Sequence, residues 1–205
     1  MGPARSSPAT SPQRADTGIV VRPAGRSEHP RVREVLAAAY REFQAVVPGP
    51  LFDSYLANVL DLDGRARTGE LLVAEHAGRI VGTVTYFPDA RLEGLGWPSG
   101  WAGLRALGVE PAARGLGAGR ALMEACHRRA LEAGAPVLCL HTAEFMRAAV
   151  AIYEAMGFRR TPEFDFDGSE YLQLRSDYRV TVIAYRLDLS PTGKSPARPP
   201  GGPSG

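Results

Sequence analysis

The chain has 205 residues, 44% of them hydrophobic and 22% charged, with a formal net charge of +2. That length accommodates one domain with a sizeable core, and the ordinary globular composition excludes a wholly disordered or fibrous chain. The small charge excess excludes the clustered Lys and Arg that grip a nucleic-acid backbone, and the two cysteines, Cys126 and Cys139, make neither a disulfide framework nor a CxxC metal pair, so both read as small buried hydrophobes and no metal is expected.

Residues 1–17 are rich in Pro, Ser, Ala and Arg without apolar periodicity, and residues 190–205 repeat that character. Both are expected to be disordered tails around a folded body at 18–189. No stretch approaches the roughly 20 apolar residues that span a bilayer, and residues 1–17 lack the apolar centre of a secretory signal; a soluble, cytoplasmic protein without membrane or nucleic-acid partners is expected. The body opens with a β-branched run, Ile19 to Val21, halted near Pro23. From Arg31 to Phe43, Val32, Val35, Leu36, Ala39 and Tyr40 recur at helical spacing. A second amphipathic helix is predicted over Leu51 to Leu60, before a turn at Asp63-Gly64. Leu71 to Ala74 and Ile80 to Phe87, joined by a short polar link containing Gly78, read as a hairpin.

Residues 88–100 carry too much Pro and Gly for a regular element and form a loop, with Trp97 and Trp101 read as anchors on the core rather than as a lid. Trp101 to Val109 reads as a strand ended by Glu110-Pro111. Helices are expected over Leu116 to Ala133 and Glu144 to Met156, and strands over Val137 to Thr142 and Val180 to Leu189. This order implies a mixed α/β sheet in a single domain.

Chemistry concentrates between Leu104 and Arg120. A strand ends, Pro111 forbids its extension, and Gly115, Gly117 and Gly119 precede a helix rich in Ala, Leu and Met. Glycines let backbone approach a ligand, and the unpartnered N–H groups and dipole of a helix start favour an anion such as pyrophosphate, with Arg114 and Arg120 adding charge. The loop lacks the GxxxxGK[ST] pattern of a Walker A loop. Arg120 occupies the third glycine position of a dinucleotide fingerprint, and Leu140-His141-Thr142 offers no ribose-binding acid.

Arg114-x-x-Gly117-x-Gly119, preceded by Leu107-x-Val109-x-Pro111, resembles the Q/R-x-x-G-x-G/A motif of the GNAT superfamily of acyl-CoA-dependent N-acyltransferases. Ala149-x-x-Ile152-Tyr153-Glu154-x-x-Gly157-Phe158 is similar to the family's A-x-x-L/I-Y-E/K-x-x-G-F segment and follows at the expected distance. The resemblance covers roughly residues 19–189. It implies a mixed central sheet of about six to seven strands flanked by about four helices, with splayed strands at the acyl-CoA site. It further implies backbone contacts from Leu107 and Val109 to the pantetheine arm, and a pyrophosphate cradle of Arg114, Gly115, Leu116, Gly117, Ala118, Gly119 and Arg120.

The reaction implied is acetyl transfer from acetyl-CoA to a primary amine of a small molecule or peptide by direct attack, with Tyr153 protonating the departing thiolate. For the general base, Glu110 and Glu144 rank equally and His141 behind them; Glu144 also reads as an early helix carboxylate with Thr142 as the cap. Met146 stands where many family members carry an Asn that contacts the cofactor arm. The acceptor is expected between the first two helices, the 88–100 loop and Glu163 to Glu170, whose four carboxylates read either as a cation attractor or as a solvated acidic loop. A homodimer is compatible with the resemblance, although no exposed stripe compels one. The rival readings are an acyl-CoA-binding sensor without turnover and, more remotely, a dinucleotide-dependent oxidoreductase.

Overall fold

A computed structural model describes residues 18–47, 49–173 and 179–189; both tails fall outside the described residues. Strand β1 (Ile19–Pro23) leads to α1 (His29–Tyr40), where Pro30 occupies the first turn, a position whose N–H needs no helical partner. Its buried stripe is Val32, Val35, Leu36, Ala39 and Tyr40, the predicted face. The chain tightens into a 3-10 turn, Arg41–Ala45, before α2 (Gly49–Leu60) and the single-turn α3 (Leu62–Arg65). Asp61 caps α3 by accepting the Gly64 N–H at 2.9 Å. Buried Arg65 reaches back to donate to the carbonyls of Asn58 and Val59, satisfying groups that the end of α2 leaves open.

The hairpin pairs β2 (Glu70–His76) with β3 (Arg79–Phe87). Its two-residue turn, Ala77-Gly78, has positive φ at both positions (48° and 74°), matching the right-handed strand twist. There follow β4 (Ala102–Val109), α4 (Ala118–Glu132), β5 (Val137–Ala143), α5 (Arg147–Ala155), the two-residue strands β6 (Arg159–Arg160) and β7 (Phe166–Asp167), the short α6 (Gly168–Tyr171) and β8 (Thr181–Asp188). The sheet order is β1-β2-β3-β4-β5-β8-β6, with β7 also on β8; among the described residues only β4 and β5 run parallel. The eight strands among the described residues exceed the expected six to seven, and the two shortest, β6 and β7, have no counterpart in the sequence pattern. The expected helix over Glu144 to Met156 begins later, at Arg147, so Glu144 precedes the helix and Thr142 does not cap it.

Alternation along the strands divides the core. Leu72, Val84, Leu104, Leu138 and Leu140 face α4, with Leu122, Met123 and Cys126, while Leu71 and Val73 face α1 and α2. Both cysteines are buried and free. Among the described residues no helix is long and apolar enough to cross a membrane.

Strands β4 and β5 pair only from Ala102 to Leu104 against Leu138 to Leu140, although both continue. Beyond Leu104 they part. The cause lies in β4: against β3 its register steps from Arg105 to Gly108 while β3 advances only from Thr85 to Thr83, so β4 carries an extra residue. Ala106 absorbs it at φ 54°, a left-handed conformation unusual for a residue with a Cβ. This bulge turns the end of β4 away from β5 and opens the sheet. Because Leu122 is fully buried between α4 and the sheet, Leu122→Ala should destabilise the fold by about 3 kcal/mol, read as a lowered denaturant midpoint at unchanged slope.

Candidate active site

The parted strands open into a cleft of about 740 Å³, lined by the outer half of β4, the glycine loop, α1, α5 and the 88–100 loop. On one wall Tyr40 donates its hydroxyl to the Leu107 carbonyl at 3.2 Å, fixing the bulge from α1. Leu107 and Val109, singled out in the sequence, both line the gap.

The glycine loop turns at Gly115 (φ 84°) and Gly117 (φ 86°), the latter being the N-cap of α4. A side chain at Gly117 would be strained in that conformation, whatever its size. The first helical hydrogen bond of α4 is Ala121 N–H to the Gly117 carbonyl at 2.9 Å, so the amides of Ala118, Gly119 and Arg120 precede it and point out of the helix start. These donors fit a pyrophosphate. The flanking side chains are otherwise engaged. Arg114 forms a two-pronged ion pair with Glu42 at 2.7 and 2.8 Å, tying the loop to the turn after α1, and Arg120 pairs with Glu124 at 3.0 Å. Backbone therefore dominates the cradle.

Tyr153 lies on the buried face of α5 and lines the cleft; burial pushes its phenol well above the usual tyrosine range, so it is held protonated. Met146 also lines the cleft as the N-cap of α5, and Thr142 donates its hydroxyl to the Met146 sulfur at 3.5 Å. The two carboxylates ranked as bases are not brought to Tyr153. Glu110 accepts Arg31 Nη2 on both oxygens, at 2.9 and 3.0 Å, outside the cleft lining. Glu144 is exposed before α5, also outside the lining.

Two other ionisable groups line the cleft beside the 88–100 loop. His141 lines it, with Nε2 at 2.9 Å from the Phe164 carbonyl and its ring 4.3 Å from that of Trp97. The carbonyl can only accept, so Nε2 carries the proton and the buried, unpartnered Nδ1 presents a lone pair; burial lowers this imidazole to about 4. Glu93 ends a 3-10 turn (Ala90–Glu93) in the 88–100 loop, and its Oε1 is enclosed without a hydrogen-bond partner among the described residues. Gly103 permits that approach, since a Cβ there would stand 2.5 Å from Glu93 Oε1. Burial pushes the Glu93 carboxyl up to about 8, against the pull of Arg105 and Arg65.

Sequence reasoning missed Glu93, because nothing local distinguishes it among loop carboxylates. Arg105, which also lines the cleft, left a trace as a charge inside an apolar strand. Trp97 and Trp101 are both buried at 3% exposure and anchor the loop, as expected. The acidic stretch serves architecture: Asp165 pairs with Arg160, and Asp167 caps α6 and meets Arg179. Its Phe166, with the adjoining Tyr171, reaches the cleft, whereas its carboxylates do not line it.

The acetyltransferase (GNAT) family model matches residues 31–158. An IAA acetyltransferase of Azospirillum brasilense is 31% identical over 127 residues, covering 62% of this chain and 78% of that protein. Among solved structures, the PaiA N-acetyltransferase of Thermoplasma acidophilum in complex with coenzyme A aligns with TM-score 0.63 at 14% identity, over 83% of this chain and 98% of that one. A putative acetyltransferase of Salmonella typhimurium with its cofactor acetyl-CoA aligns with TM-score 0.58 at 18% identity, over 88% and 98% respectively. Gly117→Val should weaken acetyl-CoA binding at least about tenfold, since a β-branched residue cannot hold the left-handed N-cap without strain of roughly 1–3 kcal/mol; calorimetric titration reads the loss, with circular dichroism as the fold control. The opened sheet, the backbone cradle at the start of α4 and the family match over most of the folded body agree: the chain belongs to the GNAT acetyltransferase family and is an acetyl-CoA-dependent N-acetyltransferase.

Proposed function

We propose that the chain transfers the acetyl group of acetyl-CoA to a primary amine of a small molecule or peptide by direct attack, with Tyr153 as the acid and Glu93 as the proton acceptor. The observation that carries this reading is the convergence on one cleft of a phenol held protonated and a buried carboxyl with an unpartnered oxygen. Acetyl-CoA supplies an activated acyl carbon as its thioester. Leu107 and Val109 bind the pantetheine arm through main-chain groups, and the amides of Ala118, Gly119 and Arg120, with Gly115, Leu116 and Gly117 shaping the turn, hold the pyrophosphate. The Arg114 to Glu42 pair keeps that loop against α1.

In the transfer a nitrogen–carbon bond forms and the carbon–sulfur bond breaks. The amine proton passes to Glu93 and the Tyr153 proton to the sulfur, so the two residues are reset by proton exchange with solvent. Glu93 suits the first step because a carboxyl near 8 is far closer in basicity to an alkylammonium than an ordinary carboxylate. Glu110 and Glu144 are less well placed for it, one being occupied by Arg31 and the other lying outside the lining.

The test is CoA release with a panel of primary amines. Tyr153→Phe should lower kcat about 10²- to 10⁴-fold with little change in acetyl-CoA affinity. Acetyl-CoA binding without release of CoA by any amine would instead favour an acyl-CoA sensor. With Glu93 as base, kcat/KM should rise as pH increases through about 8, and Glu93→Gln should abolish that inflection while leaving the one due to the amine itself. Stability moves the other way. Because the folded protein holds the Glu93 proton more tightly than the unfolded chain, stability falls as pH rises from 4.5 to about 8; Glu93→Gln should flatten melting temperature across that window.

A further inference from the structure

Among the described residues Arg65 and Arg105 are the enclosed arginines without a carboxylate within ion-pair distance, and of the two only Arg105 lines the cleft. Arg22, Arg31, Arg33, Arg129 and Arg186, all at least partly buried, each lie within 3.5 Å of a carboxylate. Buried Arg65 is satisfied by helix carbonyls and the Thr85 hydroxyl. Arg105, half-buried on β4, has no carboxylate within ion-pair distance among the described residues, and it lines the cleft. Its partners are neutral: Nη2 donates to Asn58 Oδ1 at 2.7 Å, Nη1 lies 3.4 Å from the Tyr171 hydroxyl, and the guanidinium stands 5.6 Å from the Tyr171 ring centroid. These contacts orient the side chain and leave its charge uncompensated. Glu93 faces it from beyond 4 Å and, with its carboxyl pushed up to about 8, adds little negative charge at neutral pH. Taking a guanidinium out of water without a counter-ion is costly, so such a group in a binding cleft points to an anionic ligand.

Arg105 precedes Leu107 by two positions on β4, across the bulge at Ala106, so it edges the same cleft as the backbone proposed to hold the acyl arm. Tyr171, Phe166, Leu95 and Leu172 give the same cleft apolar lining. We propose that the acceptor is a small amphipathic amine that bears an anionic group, a carboxylate or a phosphorus oxyacid, a few bonds from its nitrogen, and that Arg105 is the specificity-determining residue that binds it. Asn58 and Tyr171 hold the guanidinium in place, and the apolar wall receives the body of the acceptor. This rests on the acetyl-transfer reading above and narrows its acceptor class to amino-acid-like compounds.

The test has a turnover arm and a binding arm. In the first, CoA release is compared for phenylalanine, phenylalaninamide and the phosphonate analogue of phenylalanine, with rates referred to the free amine. The wild-type protein should favour at least one acid over the amide by about 10- to 100-fold in kcat/KM, the range for a charge-assisted contact, and the two acids together identify which anion fits. Arg105→Gln should collapse the acid-to-amide ratio towards unity, and Arg105→Lys should retain part of it. In the second arm, CoA-loaded protein is titrated with N-acetylphenylalanine and N-acetylphenylalaninamide, which requires no turnover; the acid should bind about tenfold or more tightly. Equal binding of acid and amide by wild-type protein together with no preference for either acid over the amide in turnover, or an unchanged ratio in folded Arg105→Gln, overturns the proposal. Absence of CoA release from every amine alongside tighter binding of the acid would overturn the transfer reading and uphold the role of Arg105. If Arg105→Gln does not fold, the wild-type comparison decides by itself.

Discussion

The structure depends on a sheet that is not allowed to close. A parallel pair would normally continue its ladder, because each unpaired backbone N–H or carbonyl withdrawn from water carries a cost comparable to a lost hydrogen bond. Here the ladder between β4 and β5 stops at Leu104 and Leu140, and the bulge at Ala106 prevents it from resuming. The departing strand is held from its other side. It keeps its pairing with β3 at Gly108 and Val109, and Tyr40 secures the Leu107 carbonyl from α1. The result is an opening edged with main-chain groups, suited to an extended amide-bearing chain. The glycine loop and the start of α4 lie at the end of β4, while Tyr153 approaches from α5.

Charge is distributed along the cleft by function. At the loop, positive side chains are balanced by carboxylates, Arg114 by Glu42 and Arg120 by Glu124, leaving backbone amides to meet an anion. At the other end the balance is withheld. Among the described residues Arg105 has neutral partners, Glu93 has an enclosed oxygen with none, and His141 presents a buried lone pair. Burial acts on each in its own direction, raising Glu93 and Tyr153 and lowering His141. The same desolvation thus keeps the phenol protonated and brings the carboxyl closer in basicity to an amine. The nearby acidic stretch does not compensate Arg105, because Asp165 and Asp167 are engaged by Arg160, by Arg179 and by backbone amides of β8 and α6.

The comparison of sequence with structure divides along the range of the interactions. Elements with several turns or alternations were legible: the α1 stripe from Val32 to Tyr40, the hairpin around Gly78 and the glycine loop before α4 all occur where local pattern placed them. The two-residue strands β6 and β7 were not, because no periodicity can be expressed in two residues and both exist only by pairing with β8. The start of α5 was misjudged for a related reason. Glu144 and Thr142 look like an acidic first turn and its cap, but β5 runs on to Ala143 and a turn to Met146 delays the helix.

Sequence by itself determined the family and where the glycine loop and the motif tyrosine fall, since a helix start after close-set glycines has its free donors whatever surrounds it, and Tyr153 is carried by its own helix. Tertiary structure alone decided which ionisable groups share the cleft with them. Glu110 is adjacent to the loop in sequence yet is turned out to Arg31, whereas Glu93, Arg105 and His141 come from a loop and two strands and meet only when the sheet assembles. Their chemistry is set by burial and by the absence or presence of a counter-charge. Those quantities belong to the packed molecule, because the desolvation that shifts a carboxyl or isolates a guanidinium arises from neighbours distant in the chain.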